Sequence, residues 1–153
     1  MERFRDYEEE GLSLIQKVLI FIFVAFYPMV VSMYTMLPPL IGIVAYFLIL
    51  SIEKEEMYIF APLIYLINLD LNLSLPLFLS IVITVLIYLF VYMPLKRLIR
   101  CKVCLLFALI FIIDVSYYLS LFVYDFIFQT STVLADMLLI YYIAVDILIG
   151  MLV

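Results

Sequence analysis

The chain has 153 residues, 70% of them hydrophobic and 14% charged, with a mean hydropathy of +1.34 and a net charge of −5. A soluble domain carries about 25% charged residues, so the composition excludes an ordinary water-soluble fold, and 8 basic residues against 13 acids offer no nucleic-acid surface. Histidine is absent, which removes the commonest metal ligand and proton shuttle; tryptophan is absent too, leaving interface anchoring to the 13 tyrosines.

Met1–Gln16 reads as a polar tail, with a short surface helix over Arg3–Lys17 as the alternative. Its acidic start is unlike a secretory leader. Between Lys17 and Glu53 no residue is charged. Pro38-Pro39 divides that run, because one helix of about 50 Å exceeds the roughly 30 Å hydrocarbon core. A first span is expected over 17–36, kinked at Pro28, and a second over 39–52, where Gly42 and Ala45 offer a close-packing face. Glu53-Lys54-Glu55-Glu56 follows as a tight charged loop. The third apolar run, 57–70, is about 20 Å long as a helix and reaches across only with help from the bilayer; a re-entrant segment is the competing reading. Asn68-Leu69-Asp70-Leu71-Asn72-Leu73-Ser74-Leu75-Pro76 alternates polar residues with leucine, a period that suits an extended turn. Asp70 is the only formal charge between Glu56 and Lys96. A fourth span over 75–94 carries Pro76 in its first turn and ends at Pro94 and the cluster Lys96, Arg97, Arg100 and Lys102. The fifth covers 103–124 with Asp114 near its middle. After a turn at Asp125–Thr132, where Ser131 or Thr132 can cap the next helix, the sixth covers 132–153 and contains Asp136 and Asp146.

The expected fold is an all-α integral membrane bundle of six short transmembrane helices. With both termini cytoplasmic, all 8 basic residues fall on the inner side, and the outer turns near Pro38, Asp70 and Gln129 hold none.

Few residues suggest chemistry. A charged carboxylate at mid-bilayer costs roughly 2.5–3.5 kcal/mol on insertion scales. Asp114 is therefore expected to face the bundle interior, where Tyr117 and Tyr118 at i+3 and i+4 can reach it. No lysine or arginine lies at its depth. Asp146 reads either as a buried polar group or as a carboxylate reaching toward the cytoplasmic face, with Gly150 leaving room for a neighbouring helix. Asp136 is expected near the outer interface. Asp114 and Asp136 or Asp146 could meet in space, but no Gly-x-Gly-Asp pattern of an Asp-Asp intramembrane protease accompanies them. Cys101-Lys102-Val103-Cys104 lacks two further ligands for zinc and a thioredoxin-like context, and is read as two incidental thiols at the cytoplasmic interface. No nucleophile–base arrangement or phosphate loop is visible, so no catalytic residue, metal or cofactor is expected.

Short helices, a polar turn bearing Asp70, a long apolar helix and a basic inner loop together resemble the MreD family of bacterial rod-shape proteins. Leu69-Asp70-Leu71 and Leu75-Pro76-Leu77 stand where that family has an Asp-containing turn followed by a Pro-Leu step. The resemblance covers about residues 12–153. It implies a non-enzymatic, multi-pass subunit of the inner membrane that binds an MreC-type scaffold protein and belongs with other elongation-complex proteins in cell-wall synthesis. Asp70, Asn72 and Asp125 would then border an outer groove for the partner. The same family resembles the substrate-binding subunits of energy-coupling-factor importers. Under that alternative, Asp114, Tyr117 and Tyr118 would line a ligand pocket. An accessory subunit of another membrane complex is the third reading.

Overall fold

The computed structural model describes residues 14–34, 36–54, 59–130 and 138–152. They form six helices: α1 (Leu14–Met33), α2 (Ile41–Lys54), α3 (Phe60–Asn72), α4 (Leu79–Leu98), α5 (Lys102–Phe128) and α6 (Leu138–Leu152). There is no strand among the described residues. Three helices, α1, α4 and α5, are long and apolar enough to cross a membrane, and α6 is a shorter apolar helix. Asp136, the cap expected at Ser131 or Thr132, and the polar tail before Ser13 lie outside the described residues.

The 14-residue α2 is the hub. It packs against α3, α4, α5 and α6, while α1 leans on α3. Leu48 and Ile49 of α2 are buried with Leu66 and Leu69 of α3 and Leu109 and Ile113 of α5. The outer surface is apolar: Phe21, Phe26 and Met33 of α1, Phe90 of α4 and Phe126 of α5 are exposed. Small residues permit the closest approaches between helices. A Cβ on Gly42 would stand 2.8 Å from Ile110 Cγ2, and one on Gly150 2.8 Å from Ile110 Cδ1, so α5 is wedged between α2 and α6.

The prolines follow the sequence expectation in part. Pro28 stays inside α1. Having no N–H, it leaves the carbonyl of Val24 without its usual donor. Asn68 of α3 supplies one: its Nδ2 donates to Val24 O at 3.1 Å and to Ala25 O at 3.0 Å. Asn68→Leu should therefore destabilise the fold by about 1–3 kcal/mol, the cost of buried polar groups left unpaired. Pro28→Ala in the same background restores the intrahelical donor and should recover part of that loss, read by thermal unfolding in detergent. Pro94 does not end the fourth helix, which runs on to Leu98. A π-helical turn at Tyr88–Tyr92 precedes the proline and loosens the hydrogen-bond ladder where its N–H is missing. The prolonged helix brings Tyr92 and Lys96 to Glu53 at the end of α2, and both donate to its carboxylate. The Lys96 hydrogen bond first, then that of Tyr92, holds the Glu53 carboxyl below the usual carboxylate range.

Two turns also differ. Asn68–Asn72 is helical, not extended: Leu66, Leu69 and Asp70 fall on one buried face of α3. The alternation misleads because the polar residues are paired inside the chain, Asn68 to α1 and Asn72 Nδ2 to Asn68 O at 2.7 Å. α4 begins at Leu79, after Ser74 and Phe78 adopt left-handed backbone (φ 53° and 66°), so Pro76 stands in the turn and not in the helix. Pro38, Pro39 and Leu40 are buried, not displayed at a surface turn. Their carbonyls need donors. Tyr27 OH donates to Pro38 O at 2.8 Å and Tyr65 OH to Pro39 O at 2.7 Å.

Candidate functional site

An α-helix exposes four backbone N–H groups at its start, and these need acceptors when buried. The sequence supplies α2 and α4 with no Ser, Thr, Asp or Asn at the capping position; Leu40 and Phe78 stand there. Each helix instead takes a carboxylate from elsewhere in the fold.

For α4 the acceptor is Asp70 of α3. Its Oδ2 accepts from Ser80 Oγ at 2.8 Å and from Ser80 N–H at 3.3 Å, while Oδ1 accepts from Tyr117 OH of α5 at 3.4 Å. The side chain is completely buried. Asp70 thus joins three helices from within and does not border an outer groove. The other two groove candidates sit nearer the surface. Asn72 is the last residue of α3. Asp125, in the last turns of α5, accepts from Thr130 Oγ1 at 2.6 Å.

For α2 the acceptor is Asp146 of α6, whose Oδ2 receives the Gly42 N–H at 2.9 Å across 104 residues of sequence. The Ile43 amide also faces this carboxylate. Asp146 therefore does not reach toward a surface; it is 2% exposed. Leu40, just before the helix, is held at φ 52°, a conformation that costs a non-glycine residue about 1–2 kcal/mol. That left-handed residue lets the buried Pro38-Pro39 segment turn directly into α2, so that the first amides of α2 point into the interior.

Asp114 of α5 joins the same junction. A Cβ on Gly42 would stand 2.7 Å from Asp114 Oδ1 and 2.9 Å from Oδ2, so only glycine lets α2 lie on this carboxyl. Asp114 is 3% exposed, and its carboxyl is the neighbour of that of Asp146. Two buried oxygens in this pair, Asp114 Oδ2 and Asp146 Oδ1, have no hydrogen-bond donor. Tyrosines from three helices lie near the pair: Tyr27 of α1, Tyr65 of α3 and Tyr118 of α5. Tyr27 and Tyr65 both stack on Phe23, with ring centroids 4.8 Å and 5.9 Å from it, and lie 6.3 Å from each other.

The structure thus separates residues that their spacing grouped. Tyr117 and Tyr118 were both expected to serve Asp114. Tyr117 serves Asp70 instead, and Tyr118 lies beside the Asp114–Asp146 pair, edge-on to Tyr117 at 5.8 Å. Asp114 and Asp146, whose meeting the sequence allowed, do meet. Gly42, Ser80 and Asn68 were missed as members of polar junctions. Only Gly42 carried a signal, its place just after Pro38-Pro39. Cys101 and Cys104 are exposed free thiols at the start of α5, and Cys101 Sγ accepts from the Cys104 N–H at 3.5 Å. The Cys104 thiol beside it holds the Cys101 thiol below the usual range. Among the described residues no group of three or more acidic, cysteine or histidine side chains could hold a metal ion. No family model matches the chain, and neither does any curated protein or solved structure.

Proposed function

We propose that the chain is a multi-pass protein of the bacterial inner membrane, a non-enzymatic subunit resembling MreD that binds an MreC-type partner in the cell-wall elongation machinery. The observation that supports this most is how the buried polar side chains are used. Asp70, Asp146 and Asn68 each tie one helix to the start or backbone of another. In lipid every backbone donor needs an internal partner, and ties of this kind make a rigid body suited to holding other proteins. An importer's binding subunit needs convergent polar groups free to meet a ligand. Tyr117, one of the three candidates for that role, is engaged with Asp70.

The apolar outer faces of α1, α4 and α5 meet lipid and partner helices. Six spans with cytoplasmic termini put Lys96, Arg97, Arg100 and Lys102 inside, in keeping with the bias of basic residues toward the cytoplasm. In this arrangement α2 starts at mid-layer, level with the middle of α5, and the Pro38–Leu40 segment re-enters the membrane. Irregular backbone is tolerated at that depth when it is buried in protein.

Two measurements test the reading. In a chain whose Cys101 and Cys104 are serine, Asn72→Cys and Arg97→Cys should react with an impermeant maleimide from opposite faces of the membrane. Co-expressed MreC-type protein should co-purify with the chain, and Asp125→Arg should weaken that capture. Labelling of both positions from one face, or no capture of the partner by the wild-type chain, refutes it.

A further inference from the structure

The junction of Asp114, Asp146 and the start of α2 has more acceptors than donors. When ionised, a carboxylate accepts hydrogen bonds and donates none. The α2 amides satisfy Asp146 Oδ2, but Asp114 Oδ2 and Asp146 Oδ1 remain without a donor, on neighbouring carboxyls that are 3% and 2% exposed. An unmatched buried acceptor is costly, and an unpaired buried charge more so. Two like charges in one apolar pocket add their own repulsion.

We propose that Asp114 and Asp146 form a binding site for one proton, held between their carboxyls. A single proton turns one acceptor into a donor, so it answers both unmatched oxygens at once and removes one of two negative charges. The remaining charge faces the α2 amides, where the positive end of a helix dipole favours it. A metal ion fits less well, because those same amides would repel it. Among the described residues, the ionisable groups facing the pair from the surrounding helices are tyrosines: Tyr27 from α1, Tyr65 from α3 and Tyr118 from α5. From α2 the pair meets only backbone amides. Loss of the proton leaves two charges wedged between α2, α5 and α6, so release is coupled to separation of these helices. The site is independent of which partner the protein binds.

Infrared difference spectra of the purified protein in detergent, in light and heavy water at pH 7, test this. A protonated-carboxyl band is expected in the wild type and should be lost in both D114N and D146N, because either asparagine supplies an amide donor and leaves a lone carboxylate. D70N should keep it. Each asparagine also preserves side-chain shape, and D146N preserves an acceptor for Gly42, so the variants should fold. As a second measurement, thermal stability of the wild type should fall as pH rises, since the folded state binds the extra proton; in D114N that dependence should be shallower. Absence of the band in the wild type, its persistence in D114N, or its removal by sodium in place of choline overturns the proposal.

Discussion

Gly42→Ala should destabilise the protein by about 1–3 kcal/mol, the range for forcing extra volume into a packed interior. The sign is diagnostic. In an ordinary exposed helix the same change is favourable by about 1 kcal/mol, because alanine is the better helix former. Here the new methyl would stand 2.7 Å from Asp114 Oδ1 and 2.8 Å from Ile110 Cγ2. Ile110 cannot simply retreat, since its Cδ1 already lies against Gly150 of α6. Thermal unfolding in detergent measures the change. A neutral or stabilised Gly42→Ala would mean that α2 and α5 do not approach this closely.

Asp70→Leu should cost about 3 kcal/mol or more. It deprives the Ser80 amide, the Ser80 hydroxyl and the Tyr117 hydroxyl of their acceptor, and each buried donor left unmatched costs about 1–3 kcal/mol. The effects overlap, because Ser80 can rotate its hydroxyl. Asp70→Asn keeps one acceptor oxygen in the same place and should lose clearly less. Equal losses in the two variants would assign the effect to the charge of Asp70 and not to its role as a helix cap.

Much of the architecture is legible in the sequence because apolar runs and their charged breaks dictate helices directly. The runs after Lys17, after Leu75 and after Lys102 became α1, α4 and α5. What stayed hidden is the pairing of polar groups between distant helices. Nothing near Gly42 announces that its amide belongs to Asp146, and spacing along α5 cannot show that Tyr117 turns to Asp70 while Asp114 turns to α2. The alternation from Asn68 to Leu75 suggested a strand-like turn because periodicity reports exposure, and here Asn68 and Asp70 face protein, not water. Pro94 suggested a helix end, since local rules for proline do not anticipate a π-turn that absorbs it.

The long reach from Gly42 to Asp146 carries a consequence for biogenesis. When α2 leaves the ribosome, the acceptor for its first amides has not yet been made; it arrives only with α6. Until then that end of the helix needs a surrogate acceptor, such as water. The helix α6 therefore acts as a latch, and a nascent chain stalled before residue 138 would leave the junction open.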